Sequence, residues 1–382
     1  MNEWKEYRFS DFVTVNPNVS LKGAGEYSFV EMKDLQDGNK FCVPNAKRKT
    51  SSGARFQEKD TLFARITPCL ENGKICQVRG LENGIGFGST EFLVFRGKEK
   101  ISDNDFVFYL SRWDEVRGFA EGNFEGTSGR QRVNKDCFDN LFLKLPKYNE
   151  QIQISSILSS LDDKIDILHR QNKTLEQLAE TLFRQWFVEE AEENWDKLPL
   201  SSIADFLNGL ACQKIPPKNE FDKLPVLKIK ELGSGISINS DWASTDIKPE
   251  YIIKNGDVIF AWSASLMVII WNGEDCILNQ HLFKVTSKVY PKWFYYLWCK
   301  HHLDEFISIS ASHATTMGHI KRGDLDNAMV LVPTNEELKK MTINIEPFFD
   351  KMIINHTQIR TLTQLRDTLL PKLMSGEVRV KN

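Results

Sequence analysis

The spacing of hydrophobic and polar positions divides the chain into two kinds of segment. Residues 150–188 and 336–376 carry apolar side chains at alternating steps of three and four, the spacing of a helix that packs against another helix. The stretches before them contain short apolar runs interrupted by Gly, Asn, Pro and Ser, which is typical of strands and loops. Short helices are predicted at 104–117 and 291–307. The pattern therefore predicts two α+β regions, each followed by a long helix.

The heptad spacing also predicts which positions of the long helices form the buried seam. These positions are Leu161, Ile165, Leu168, Asn172, Leu175 and Leu182 in the first helix, and Met352, Asn355, Ile359, Leu362 and Leu369 in the second. Two such helices in one chain can bury their seams against each other, and a chain that runs down one helix into a second domain favours an antiparallel pair. In that arrangement Asn172 and Asn355 meet, and a buried asparagine fixes the register of the helices.

The two halves of the chain repeat each other. DKIDILHRQNKTLEQLAETL at 163–182 returns without a gap as DKMIINHTQIRTLTQLRDTL at 350–369. Earlier stretches correspond more loosely, with KDTLFARI answered by GDVIFAWS and STEFLVF answered by NQHLFKV. A repeat of this length indicates a tandem duplication of one domain and one helix.

The duplication predicts the domain organisation. One domain of mixed strands and short helices covers 1–146 and its helical spacer covers 147–193; a second domain covers 194–333 and a second helical spacer covers 334–382. The predicted fold class is α+β. It has two tandem domains of mixed strands and short helices separated by two long helices, packed as an antiparallel coiled coil with pseudo-two-fold symmetry.

The net charge of −3 is distributed unevenly along the chain. By itself that value argues against a nucleic-acid binder. Counted along the chain, the net charge is −5 over 147–194 but +1 over 1–146, −1 over 195–333 and +2 over 334–382. The acid is therefore concentrated on the first helix and its exit, and the near-neutral domains can still present basic loops.

Two loops of the first domain, NAKRKTSSGARF and GTSGRQRVNK, combine Lys and Arg with Ser, Thr, Asn and Gln. This mixture holds phosphates and reads base edges, although a solvated loop has the same composition. The DNA-facing candidates of the first domain are Lys47, Arg48, Lys49, Arg55, Arg130, Gln131 and Arg132, together with Ser89, Thr90 and Glu91 beside a strand.

The second domain offers fewer basic residues. Its candidates are Asn279, Gln280 and His281 at the strand that answers STEFLVF, and His319, Lys321 and Arg322 in SHATTMGHIKRGD, a stretch that also contains His313. Glu91 and Gln280 are treated as equivalent positions, which fits either a base-reading role or a structural turn. Electrostatics alone does not establish that either domain binds DNA.

A catalytic motif is not found in the sequence. The chain lacks the Asn/Asp-Pro-Pro-aromatic loop of amino-methyltransferases and a Walker phosphate loop, and GIGFG leads into a strand where a cofactor loop would open a helix. Seven cysteines without CxxC spacing predict free thiols in a reducing cytoplasm and no zinc site. No apolar run reaches the ~18 residues of a membrane span. The expectation is a non-catalytic cytoplasmic protein without a metal of its own.

Three motifs resemble one family. They are GSTEFLVFR at 88–96, LPKYNEQIQISSILSSLDDKIDILHRQNKTLEQLAETLFRQWF at 145–187 and LLPKLMSGEV at 369–378. With the tandem architecture they cover nearly the whole chain, and they resemble the DNA specificity subunit of type I restriction–modification enzymes. The resemblance implies two target-recognition domains that each read half of a bipartite site on double-stranded DNA. It also implies helical regions that space the domains and dock two methyltransferase subunits.

The same resemblance implies that this chain holds no cofactor. S-adenosylmethionine, ATP and Mg would be bound by the partner subunits, and translocation and cleavage would belong to the restriction subunits. NQHLF in place of STEFL predicts that the second domain reads a different half-site, so that the whole target is asymmetric. The seam of about 26 residues is ~39 Å long at ~1.5 Å per residue, close to the ~34 Å of one DNA turn. Two alternatives remain open at this stage: a coiled-coil interaction scaffold that never touches DNA, and an orphan specificity subunit without DNA-modifying partners.

Overall fold

The computed structural model describes residues 4–21, 25–49, 52–127, 129–237, 239–312 and 318–380. The chain divides into two compact units, which are described separately below. Unit 1 comprises residues 1–167 and 361–382, and unit 2 comprises residues 168–360. The division crosses both long helices, so that each unit contains one half of each helix.

Unit 1 has a β framework with short helices on it. Its strands are β1 (Lys5–Arg8), β2 (Val13–Val15), β3 (Glu26–Val30), β4 (Phe41–Cys42), β5 (Ala46–Lys49), β6 (Ala54–Gln57), β7 (Thr61–Ala64), β8 (Ile75–Val78), β9 (Ile85–Gly88), β10 (Phe92–Gly97), β11 (Phe124–Glu125), β12 (Arg132–Val133) and β13 (Phe142–Leu145). Its helices are α1 (Phe9–Phe12), α2 (Asn104–Arg112), α3 (Asp114–Gly122) and the first part of α4 (Tyr148–Arg184). One π turn, Gln185–Glu189, continues α4.

Two sheets form the framework of unit 1. One has the strand order β2-β10-β7-β8-β4 and the other has the order β5-β3-β9-β6. The first sheet buries Phe63, Leu93 and Phe95 against α2, because alternate residues of its strands face the same side. This packing leaves the loops beyond Ala64 and before Phe92 at the end of the sheet, where most of the candidate side chains lie.

Unit 2 repeats this framework. Its strands are β14 (Asp196–Pro199), β15 (Asp205–Asn208), β16 (Leu224–Leu227), β17 (Trp242–Ala243), β18 (Ile252–Ile253), β19 (Val258–Ala261), β20 (Met267–Ile270), β21 (Cys276–Leu278), β22 (Leu282–Thr286) and β23 (Met329–Val332). Its helices are α5 (Leu200–Ile203), α6 (Ile229–Ser234), α7 (Lys292–His301), α8 (Leu303–Ser312), α9 (Arg322–Asn327) and most of α10 (Asn335–Met374).

The order β15-β22-β19-β20 in unit 2 matches β2-β10-β7-β8 in unit 1, and the parallel pair β16–β21 matches β3–β9. A core of aromatic residues from α7, including Trp293, Phe294 and Trp298, packs on the sheet of unit 2. The two units therefore share one folding pattern, as the duplicated sequence predicts, and the predicted α+β fold class is confirmed.

The long helices pack against each other in an antiparallel sense inside each unit. In unit 1, Leu158 of α4 belongs to the same apolar cluster as Leu373 of α10, and Asp162, one turn later in α4, contacts Arg366, two turns earlier in α10. In unit 2, Asn172 of α4 contacts Asn355 of α10, and Phe183 shares a cluster with Ile345. In both units, advancing along α4 means moving back along α10.

Candidate nucleic-acid interface

Two of the DNA-facing candidates of unit 1 contact each other. Arg132 directs its guanidinium at the carboxylate of Glu91, with Nε 3.0 and 2.9 Å from the two carboxylate oxygens and Nη2 2.7 Å from Oε1. This fork-shaped arrangement is the strong form of an arginine–carboxylate pair. The Glu91 carboxylate raises the pKa of Arg132. The two side chains therefore hold each other in a fixed orientation.

A third residue, Arg65, completes this group at the end of β7. Its amide donates to the Glu91 carbonyl at 3.0 Å, and its carbonyl accepts from the Val133 amide at 2.8 Å. The Arg65 Nε atom lies 3.7 Å from Glu91 Oε2, and 31% of the side chain is exposed. We call Arg65, Glu91 and Arg132 the charged triad. The sequence pattern does not mark Arg65 as a candidate, because FARI has the pattern of a continuing strand.

A cleft of about 550 Å³ borders the charged triad. Its walls include Arg55, Arg65 and Thr90, with Asn16 and Asn18 on the opposite loop. Asn16 Oδ1 accepts from the Val94 amide at 2.9 Å, which holds that loop against the sheet. The cleft thus brings together one residue of the first basic loop and two residues of the strand ends, all with hydrogen-bonding side chains.

The other basic residues of the first loop lie elsewhere in unit 1. Lys47 pairs with Glu82 at 2.8 Å, and Arg48 pairs with Glu31 and lies 4.0 Å from the centre of the Phe29 ring. These residues and the exposed Lys49 belong to β5, whereas Arg55 belongs to β6. Two strands separate β5 from β6, a distance of ~14 Å at ~4.8 Å per strand. The loop predicted as one basic cluster is therefore divided between two edges of a sheet, and its positions 50 and 51 lie outside the described residues.

The remaining candidates of unit 1 lie around the charged triad. Ser89 Oγ accepts from the Glu91 amide at 3.1 Å, which fixes the turn before β10. The backbone of Gln131 exchanges hydrogen bonds with Thr67, through its carbonyl at 3.0 Å and its amide at 3.1 Å. Arg130 is exposed in the turn that precedes it. Residue 128 of this loop lies outside the described residues.

Unit 2 places three aromatic side chains at the backbone positions of the charged triad. The Trp262 amide donates to the His281 carbonyl at 3.4 Å, as Arg65 does to Glu91, and the Ile320 amide donates to the Trp262 carbonyl at 3.1 Å, as Val133 does to Arg65. Ser263 bridges to His319 as Ile66 bridges to Arg132. We call Trp262, His281 and His319 the aromatic triad.

The indole of Trp262 forms the centre of the aromatic triad. It is stacked on Phe283 with ring centres 5.7 Å apart, and its ring centre lies 5.9 Å from that of His281 and 6.3 Å from that of His319. Its Nε1 donates to Asn208 Oδ1 at 3.1 Å. Trp262 was not selected from the sequence either. The available signal was the replacement of arginine by tryptophan between FARI and FAWS, inside an otherwise apolar repeat.

The backbone register corrects one equivalence assumed from the sequence. Phe92 pairs with Ala64, and Leu282 pairs with Ala261, so Glu91 corresponds to His281 and not to Gln280. Gln280 and Asn279 correspond to Thr90 and Ser89. Asn279 is buried, and its Oδ1 accepts from the His281 amide at 3.4 Å, while Gln280 Nε2 lies 3.4 Å from His281 Nε2.

Lys321 and Arg322 are exposed at the start of α9. The bridge between Ser263 and His319 makes Lys321 and Arg322 the counterparts of Asn134 and Lys135, two and three residues beyond the triad position. His313 lies outside the described residues. In unit 2 the basic residues Lys321 and Arg322 therefore lie outside the triad. In unit 1 two arginines, Arg65 and Arg132, belong to it.

The predicted seam positions all lie on the buried or half-buried side of the helices. Ile165, Leu168, Asn172, Met352 and Asn355 are buried, and Leu161, Leu175, Leu182, Ile359, Leu362 and Leu369 are half-buried. Asn355 Nδ2 donates to Asn172 Oδ1 at 2.7 Å and to Gln171 Oε1 at 2.9 Å. Beside Leu161 and Leu182, the neighbouring Asp162 and Phe183 are more deeply buried, because they face the polar contact in unit 1 and the aromatic core in unit 2.

The described residues were compared with the requirements of a metal site and of a membrane-spanning helix. No group of three or more His, Cys, Asp or Glu side chains among them is arranged to hold a metal ion. All seven cysteines are free thiols. None of the helices in the described ranges is both long and apolar enough to cross a membrane.

The type I restriction modification DNA specificity domain matches this chain twice, at residues 1–177 and 192–364. The chain belongs to this family. The MjaIX specificity subunit of Methanocaldococcus jannaschii is 26% identical over 99% of this chain and 94% of its own length, and the HindI specificity subunit of Haemophilus influenzae is 22% identical over 99% and 100%. The solved type I S subunit from M. genitalium has a TM-score of 0.52 at 13% identity, over 97% of this chain and 96% of its own, and supports the fold.

Membership explains why no catalytic group was found. A type I specificity subunit is the DNA-recognition component of its system, and catalysis lies in partner subunits. Each matched segment of this specificity subunit contains one triad: Arg65, Glu91 and Arg132 in the first, and Trp262, His281 and His319 in the second.

Proposed function

We propose that this specificity subunit reads a bipartite, asymmetric site on double-stranded DNA, with one half-site read by each unit. The observation that carries the proposal is the pair of triads. The same backbone hydrogen bonds hold Arg65 and Glu91 in one unit and Trp262 and His281 in the other. A repeated framework with different side chains at its loop ends suits two related domains that recognise different DNA sequences.

The side chains around each triad support contact with DNA. In unit 1, Arg55, Arg65, Arg130 and Arg132 can supply phosphate contacts and donors to base edges. In unit 2, the Trp262 triad and the nearby Lys321 and Arg322 offer apolar contact with bases, neutral hydrogen bonding and a smaller basic component. We expect the second half-site to be bound with less dependence on salt.

The same proposal includes docking of two methyltransferase subunits on the helical regions, through which restriction subunits join. Large apolar side chains are exposed on the long helices, including Ile167 at 49% in unit 1 and Ile354 at 51% in unit 2. Exposed apolar side chains grouped on a surface mark sites of protein association. S-adenosylmethionine, ATP and Mg would be bound by those partners, and the complex would work in the cytoplasm.

The test is binding and methylation by the specificity subunit together with its methyltransferase subunits, at several salt concentrations. Mapping of methylated adenines should give two different half-sequences separated by an unspecified spacer, and duplexes with either half scrambled should bind more weakly than the intact site. A chain that assembles with the methyltransferase but shows no sequence preference would be an interaction scaffold. A chain that selects DNA but finds no active methyltransferase would be an orphan subunit.

A further inference from the structure

We propose that Arg65 is a specificity-determining residue of the first half-site, where its guanidinium donates to the O6 and N7 acceptors of a guanine. This inference rests on the proposed function and names the chemistry of one of its contacts.

Arg65 is held in position more firmly than a loop arginine. Hydrogen bonds from both sides of its peptide, to the Glu91 carbonyl and from the Val133 amide, fix the backbone at 3.0 and 2.8 Å. Its side chain is 31% exposed, so most of the aliphatic stem is covered. Reading a base edge requires donors in a fixed position, whereas a phosphate contact tolerates a mobile side chain.

The guanidinium of Arg65 retains donors for a ligand. Arg132 takes both oxygens of Glu91 at 2.7 to 3.0 Å, and the nearest distance from Arg65 to that carboxylate is 3.7 Å, beyond hydrogen-bonding range. The Arg65 Nε atom is buried and has no hydrogen-bond partner within the described part of the chain. Because Nε is buried, the donors that can meet a ligand in the cleft are the terminal Nη1 and Nη2 groups of Arg65.

The position of Arg65 favours a base over a phosphate. Arg65 lines the cleft together with Thr90 and Arg55, which places it at a concave surface that can receive the edge of a base pair. Glu91 cancels one of the two positive charges of the triad, which reduces attraction for phosphate but leaves directional donors. An arginine fork that faces two acceptors selects guanine, the commonest specific contact in the major groove.

Unit 2 supplies an internal comparison. The residue at the same backbone position is Trp262, whose side-chain donor, Nε1, is already bonded to Asn208. Trp262 carries no positive charge, so unit 2 has no cation at this position to neutralise a phosphate. The replacement indicates that this position varies with the half-site, as expected for a residue that determines sequence.

The experiment compares Arg65→Lys and Arg65→Ala with the parent, each in the full chain assembled with its methyltransferase subunits. The probes are duplexes that carry the parent site and the single-base substitutions of its first half. Both variants should lose about 5- to 150-fold of discrimination at one G·C position of the first half-site, the ratio that corresponds to one bidentate contact. Affinity for duplexes already substituted at that position should be unchanged, as should selection of the second half-site.

A matched control is Arg117→Ala, which removes one positive charge from α3 of the same unit, where Arg117 pairs with Asp114 and Glu121. It should not change discrimination. Thermal unfolding of each variant checks that Arg65→Lys is folded.

An equal loss on all duplexes for Arg65→Ala, with the salt slope reduced by about 0.9 and with Arg65→Lys unaffected, would identify a phosphate contact and overturn the proposal. Unchanged selection in both variants would overturn it as well. Absence of sequence preference in the parent would instead refute the proposed function.

Discussion

The charged triad of unit 1 and the aromatic triad of unit 2 occupy the same three backbone positions with opposite chemistry. Arg65, Glu91 and Arg132 form an ionic group with a net positive charge, whereas Trp262 contacts its two histidines through a tilted and an edge-on ring contact. The hydrogen bonds that align each triad come from the main chain. Main-chain alignment tolerates any side chain that fits, so the recognition chemistry can change while the fold stays constant.

The same contrast appears where the long helices pack. In unit 1 the buried contact is ionic: Arg366 Nη1 lies 2.7 Å from Asp162 Oδ1, and the Tyr109 hydroxyl donates to Asp162 Oδ2 at 2.7 Å. Burial and the Asp162 carboxylate raise the pKa of Tyr109, so the phenol remains a donor. In unit 2 the buried contact is the pair of amides Asn172 and Asn355. A polar contact is kept inside both helix pairs, but only one of the two carries charge.

The largest expected effect comes from removing one partner of each helix contact. Asp162→Ala leaves Arg366, which is 3% exposed, with Asp367 as its remaining counter-ion, and should reduce the free energy of unfolding of unit 1 toward the lower end of the about 3–5 kcal/mol expected for a broken buried pair. Asn355→Ala leaves only neutral groups unpaired and should cost unit 2 about 1–3 kcal/mol. Chemical denaturation, with hydrogen exchange to assign each loss to a unit, measures both.

Asp163→Ala is the control for this comparison, because Asp163 is exposed beside Asp162 and should cost little. Losses of equal size in the two variants would mean that the ionic and amide contacts stabilise their helix pairs equally. A loss in Asp162→Ala assigned mainly to unit 2 would contradict the assignment of this contact to unit 1.

A second, smaller effect separates the two triads by their response to salt. Arg132→Ala removes a cation from the charged triad and should reduce the slope of log affinity against log salt by about 0.9 if that cation neutralises a phosphate charge. His319→Ala, at the equivalent position, removes neither an Arg nor a Lys and should leave the slope unchanged. DNA binding by the complex at five or more salt concentrations gives both slopes. Equal slopes in the two variants would show that the triads do not differ in their electrostatic contribution.

The duplication made much of the fold predictable from the sequence. Eleven identities between 163–182 and 350–369 fixed the relation of the two helices, and the apolar repeats located the strands. Asn172 and Asn355 could be paired in advance because heptad geometry converts sequence position into a helix face. Local periodicity is enough for such elements, since each one is defined by its own residues.

The composition of the triads could not be predicted in the same way. Glu91 and Arg132 are separated by 41 residues, and only the tertiary structure brings them together. Arg65 and Trp262 each follow an apolar strand. The hydrophobic pattern therefore treats both as continuations of the strand and does not mark them as functional residues. The mistaken equivalence of Glu91 with Gln280 is a different case, because the matched runs STEFLVF and NQHLFKV already place His281 opposite Glu91, and the strand register agrees with that alignment.

The smallest predicted effect is a selective loss of stability in unit 2 at mildly acidic pH. All seven histidines of the chain lie within 168–360, so unit 1 has no group of this type. Burial, together with the nearby His169, lowers the pKa of His356, whose Nδ1 lies 3.0 Å from Asn272 Nδ2. The unfolded chain therefore binds a proton at this histidine more readily than the folded unit does. The contribution to stability is present above the ordinary histidine pKa of about 6.5 and is lost as the pH falls below it.

Denaturation followed by hydrogen exchange at pH 7.5 and 5.5 should show unit 2 weakened more than unit 1, and His356→Gln should reduce that difference. An equal loss in both units, or an unchanged difference in the variant, would show that His356 does not set the pH response.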